Sequence, residues 1–167
     1  MQSKQRDRYA KRTMRKVVLD TNVLISGVIA SGYSASILDA ARREEIKLVT
    51  SAHLLEEFSE VISRRHITRK YPKAAEEAES LLDYLRAFAI LSAGIPETNA
   101  VSPDRDDDFV LACALDESAD CIVSGDPHLL GLKTYEGIPI LTPKEFVGRY
   151  SILHKLGKSR VPSTGLI

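Results

Sequence analysis

Residues 104–108 read Asp-Arg-Asp-Asp-Asp, and the apolar run Phe109-Val110-Leu111-Ala112-Cys113-Ala114-Leu115 follows at once. An aspartate at a helix N-cap accepts hydrogen bonds from orphan backbone N–H groups, and acids in the first turn suit the helix dipole. One or two acids would serve that purpose. Crowded carboxylates repel one another unless water solvates some or a cation neutralises them. The stretch admits two readings, helix capping and a cation site.

Further acids fall at telling places. Asp20 closes "KVVLD", and Ser124 and Asp126 close "CIVSGD". Glu57 lies in "AHLLEEFSEVISRR". At 100° per residue, Leu54, Leu55, Phe58, Val61 and Ile62 form that segment's apolar stripe. Glu56 and Glu60 fall opposite it, as solvent-facing charges do. Glu57 falls on its border, where a carboxylate needs a partner. An Arg or Lys would serve, and so would a cation shared with the other acids. Together Asp20, Glu57, the 104–108 cluster and Asp126 form an oxygen-only set, the kind that Mg²⁺ or Mn²⁺ prefers. Such ions bind phosphates and lower the pKa of water, which points to phosphodiester hydrolysis. There is no Gly-rich phosphate loop and no G-x-S-x-G. The four histidines (His53, His66, His128, His154) show no ligand spacing, and no Cys/His cluster suggests zinc.

The elements that must position these residues alternate in type. Strands are expected at 16–20, 46–50, 120–125 and 138–142, with a short one in "AILSA". Helices are expected over "NVLISGVIA", ending near Gly32, over 34–45, over 52–65 after a Ser51 cap, and over 73–89. "DDFVLACALDE" is apolar on all sides, as in a buried helix, and Pro143 opens a last helix. Alternating strands and helices imply a parallel sheet covered on both faces. Ligands of such sheets bind beyond the carboxyl ends of the strands, where Asp20, Ser124, Asp126 and the aspartate cluster fall.

With 167 residues, 44% hydrophobic and 28% charged, the chain reads as one globular domain. No apolar run approaches a membrane span, and the basic N-terminus lacks the apolar stretch of a secretory signal. Cys113 and Cys121 sit in apolar segments and read as buried free thiols of a cytoplasmic protein. Net charge is zero but unevenly spread: residues 1–16 hold seven Lys/Arg against Asp7, and residues 104–126 hold eight acids against Arg105. An acidic site with a basic periphery suits metal-assisted chemistry on a polyanion. Residues 1–13 read as a basic appendage, 14–150 as the domain and 151–167 as a loosely packed tail.

The blocks "VVLDTNVLIS", "LLEEFSEVISR", "DDDFVLACAL" and "CIVSGDPHLL" resemble, in order and spacing, the signature blocks of PIN-domain ribonucleases across roughly residues 16–147. The likeness is greatest to single-domain PIN proteins of the toxin-component type in toxin–antitoxin pairs. The resemblance implies a three-layer α/β/α sandwich with a central, mainly parallel sheet, a divalent metal (Mg²⁺ or Mn²⁺) and endonucleolytic cleavage of RNA. Position by position, it makes Asp20, Glu57, Asp107 and Asp126 the catalytic, metal-binding acids, with Asn22, Asp106 and Ser124 in support. Asp106 and Asp108 compete with Asp107 for the third place. Asp104 and Asp108 are then capping or solvated charges, and His128 fills a place that is often acidic or polar in relatives. The implied partners are an RNA substrate, an antitoxin protein and a second copy of the chain, with no membrane.

Other folds place acids at strand ends. A haloacid-dehalogenase-like phosphatase needs a second Asp where Asn22 stands. A receiver domain needs an acid after a middle strand, and "IKLVTS" ends without one. From a different class, a non-catalytic RNA- or protein-binding PIN-like module is the alternative, against which the intact acids weigh.

Overall fold

The run Val17-Val18-Leu19 shows how this sheet is built. Val17 and Leu19 join one buried cluster and Val18 the other, so the strand is buried on both faces, as a central parallel strand must be. Cys121 and Val123 repeat the pattern on one face and Ile122 on the other. The two cysteines therefore lie in different clusters, both free and buried. Burial pushes both thiols up to about 12.

A computed structural model describes residues 14–97 and 100–150. The expected basic appendage (1–13) and tail (151–167) lie outside the described residues. In chain order the elements are β1 (Arg15–Leu19), α1 (Thr21–Ile29), α2 (Tyr33–Arg42), β2 (Ile46–Ser51), α3 (Ala52–Ile62), α4 (Arg65–Lys70) and α5 (Ala74–Phe88). Then come β3 (Ile90–Ser92), α6 (Arg105–Asp116), β4 (Cys121–Val123), α7 (Pro127–Leu132), β5 (Thr134–Tyr135), β6 (Ile138–Leu141) and α8 (Pro143–Tyr150). The sheet order is β3-β2-β1-β4-β6-β5, parallel except for β5. Helices α1, α2, α3, α5 and α8 pack on one face and α6 and α7 on the other, which makes three layers. No single described helix is long and apolar enough to cross a membrane.

Strand order reverses between β1 and β4. The chain leaves β1 toward β2 and β3, then returns to β4 on β1's other side. This switch point lies at the carboxyl ends of β1 and β4, the place where open α/β sheets bind ligands.

Several elements differ from their expected form. The helix expected over 52–65 breaks at Ser63, and α4 follows as a separate turn. The strand expected at 120–125 pairs only over Cys121–Val123, because Asp126 turns the chain into α7, a helix not expected. Helix α1 ends at Ile29, before Gly32. Helix α6 is not buried all round: Leu115 is 49% exposed. The unforeseen β5 pairs with β6 through a two-residue turn, Glu136-Gly137, with φ of 48° and 79°. Such turns need positive φ at both positions, which glycine supplies without strain.

Candidate functional site

Four helices begin at the carboxyl edge, and each brings acids. Asp20 is the residue between β1 and α1. Its backbone N–H bonds to the Val123 carbonyl at 3.0 Å, tying the end of β1 to that of β4. Its carboxylate accepts from the Ser124 hydroxyl at 2.7 Å and is only 6% exposed. Burial pushes its pKa up, more than the Ser124 hydroxyl and the Thr21 N–H lower it; Asp126 and Asp104 push the same way.

Glu57 comes from α3. Val61, beside it in the expected stripe, is only half-buried, while Leu54 and Phe58 are buried and Glu56 and Glu60 are exposed. Glu57 Oε2 accepts from the Thr21 hydroxyl at 2.7 Å. Its pKa is raised, first by burial; the Thr21 hydroxyl opposes this, Asp106 and Asp20 add to it, and His53 lessens it.

The aspartates of α6 have four different fates. Asp104 is the N-cap, accepting from the Asp106 N–H at 2.9 Å. Asp106 faces α3, where its Oδ1 lies 2.9 Å from His53 Nε2. Asp107 is 5% exposed and accepts from the Ser102 hydroxyl at 2.8 Å. Burial pushes its pKa up to about 6 against that hydroxyl, and the charges of Asp126, Asp20 and Asp104 raise it further. Asp108 was expected to cap or to be solvated. It is buried instead, and its Oδ1 accepts from the N–H groups of Val101 and Ser102 at 3.1 and 2.9 Å. The preceding loop curls back onto it, and those N–H groups need an acceptor.

Asp126 is the N-cap of α7, accepting from the His128 and Leu129 N–H groups at 2.7 and 3.4 Å. Ser124 bridges two acids: its hydroxyl donates to Asp20 and accepts from the Asp126 N–H at 2.9 Å. Asn22 is exposed on the first turn of α1, and His128 is exposed on α7.

The structure thus brings Asp20, Asp107 and Asp126 within reach of one another's charge, with Glu57 tied to Asp20 and Asp106. Sequence reasoning missed Thr21, Ser102 and His53. His53 lies one helical turn before Glu57, so the shared helix side was a usable signal.

Among the described residues, no three His, Cys, Asp or Glu side chains are gathered tightly enough to hold one ion directly. The donor chemistry nonetheless fits a hydrated divalent cation. Each carboxylate is turned to a hydroxyl or backbone N–H, and among the described residues no Lys or Arg pairs with Asp20, Glu57, Asp107 or Asp126. Buried acids that repel one another without a counter-charge suit an ion that keeps several waters and takes one or two carboxylates.

A model of the family described as PIN domain matches residues 16–128, more than half of the chain. Among solved structures, the crystal structure of FitAcB from Neisseria gonorrhoeae is similar, with a TM-score of 0.48 and 16% sequence identity over 77% of this chain and 98% of that one. No curated protein matches the chain.

Proposed function

The chain belongs to the PIN-domain family, whose members are generally nucleases that use divalent metal ions, and on that premise we propose that it is a metal-dependent endoribonuclease. The observation that carries this reading is the pair Asp20 and Asp107, buried to 6% and 5% exposure with no cationic partner among the described residues. Natural proteins seldom bury carboxylates uncompensated unless the pair is used.

In this reading Asp20, Glu57, Asp107 and Asp126 would hold one or two hydrated Mg²⁺ or Mn²⁺ ions, partly through water. The bound ion supplies charge neutralisation at a phosphodiester and lowers the pKa of water. The chain's own residues prepare that step. Ser124 and Thr21 orient Asp20 and Glu57, and Ser102 orients Asp107, each through a hydroxyl that donates to one carboxylate oxygen. Such contacts fix rotamers before the substrate arrives. Asp126 caps α7 through Oδ1 and donates its N–H to Ser124, which ties it to Asp20. Asn22, exposed beside Asp20, is free to meet the RNA backbone.

The resemblance to single-domain toxin components extends the proposal to an antitoxin partner and to a homodimer. The two buried free thiols agree with a reducing, cytoplasmic compartment. The test is incubation of mixed single-stranded RNAs with Mg²⁺, with Mn²⁺ and with chelator. Cleavage that requires the metal is expected. Products unchanged by chelator would overturn the metal-dependent reading, and RNA retained without any products would favour a binding module.

A further inference from the structure

His53 is held more firmly than a rim histidine requires. It is the second residue of α3, and its Nε2 reaches Asp106 Oδ1 at 2.9 Å across 53 positions of sequence. Its ring stacks on Phe109, with centroids 3.6 Å apart and planes 10° apart. Asp106 and Phe109 are three apart on α6, so one side of that helix supplies both contacts. An edge of the imidazole is fixed by the carboxylate and one face by the phenyl ring. The side chain is still 37% exposed. Phe109 covers one face and Asp106 holds one edge, so more than a third of the side chain stays open to solvent beyond those two contacts. The platform stands on the rim of the acidic edge, since Glu57 feels the charges of both Asp106 and His53.

We infer that the open face of His53 is a stacking platform for a nucleobase of single-stranded RNA flanking the scissile phosphodiester; this rests on the endoribonuclease reading. Every base has a π-face, and stacking on an aromatic ring tolerates sequence. Ordering a loose side chain weakens binding, and here Asp106 and Phe109 have already ordered it. The base completes a three-layer stack on the His53–Phe109 pair. A phosphate contact through the ring edge is disfavoured, because Asp106 occupies that edge with negative charge. His53 is therefore a positioning residue. It sets which nucleotide lies at the cut and leaves the chemical step to the acids.

The experiment uses the full chain and short single-stranded RNAs carrying 2-aminopurine at successive positions. Fluorescence is read with chelator and again with Ca²⁺. Wild type should quench the probe at one preferred position. His53→Ala should lose that quenching and bind roughly 5–50-fold more weakly, while His53→Phe, which keeps a ring and loses the imidazole nitrogens, should stay within about threefold of wild type. With Mn²⁺, His53→Ala should raise KM, keep kcat within about threefold and shift the mapped cleavage sites. The inference is overturned if no position is quenched in either condition, if His53→Ala matches wild type, or if His53→Lys restores binding where His53→Phe does not. Quenching without any metal-dependent products would remove the endoribonuclease reading and leave the stacking platform standing. Metal-dependent cleavage that His53→Ala leaves unaltered would do the reverse.

Discussion

The two ends of the sheet treat charge in opposite ways. At the amino end, several charges find partners. Asp120 Oδ2 accepts from the Lys16 N–H at 2.7 Å, and Lys16 Nζ donates to the Glu117 carbonyl at 3.2 Å. Arg15 lies over the Tyr150 ring at 4.2 Å, and Arg43 pairs with Glu45 at 3.4 Å. At the carboxyl end, Asp20 and Asp107 are more deeply buried than any of these charges and meet hydroxyls and other acids. The same fold supplies partners to Asp120 and Glu45 at its amino end. Under the proposed function, the carboxyl end is organised around a cation that comes from outside, at a cost in stability.

This contrast can be broken in several ways. The largest effect is expected on cleavage. Asp20→Asn should lower metal-dependent RNA cleavage by at least about 10²-fold while RNA binding persists. Asp120→Asn, at the amino end, should leave cleavage within about twofold. Equal losses from the two variants would erase the distinction between the ends.

A second effect concerns stability in chelator. The Asp107 carboxyl, raised to about 6 in the folded chain, stabilises the fold only while protonated. Its contribution is complete below the ordinary carboxylate pKa and is lost as pH rises through about 6. Without metal, this group should therefore make stability fall between about pH 4 and pH 6. Asp107→Asn, which keeps an acceptor for Ser102, should lessen that fall and unfold later than wild type at pH 7.5. Asp120→Asn should unfold earlier, by about 0.5–1.5 kcal/mol, because its bond to Lys16 weakens. Denaturant melts across pH give the signs, and the same sign for both variants would contradict the contrast. The smallest effect belongs to Glu60→Gln. On the exposed side of α3 it should change neither cleavage nor stability by more than about 0.5 kcal/mol.

Strand-to-helix alternation made the layers legible, because Val17, Val18, Ile122 and Val123 carry the signature of a strand buried on both faces. Asp20 and Asp126 were legible as residues closing strands, and Glu57 as a carboxylate on the border of an apolar stripe. The aspartates of the opening stretch divide their tasks. Asp104 caps, Asp106 holds His53, Asp107 turns to the Ser102 hydroxyl and Asp108 pins the loop before it. That division depends on where residues 101–102 fold back, which spacing cannot reveal. Helix α7 was hidden by its six-residue length and its internal Gly131. The His53–Asp106–Phe109 contact was hidden because it joins two helices remote in sequence. The two-residue β5 is too short to carry a period.

The most direct test of the account is a Mn²⁺ titration followed by electron paramagnetic resonance. Wild type should bind Mn²⁺ at a saturable site that Mg²⁺ displaces. Asp20→Asn and Asp107→Asn should each weaken that binding by about tenfold or more, and Asp120→Asn should leave it unchanged. Wild-type binding that survives both Asp20→Asn and Asp107→Asn, or its absence at millimolar Mn²⁺, would contradict the claim that the carboxyl end of the sheet is built to receive a cation.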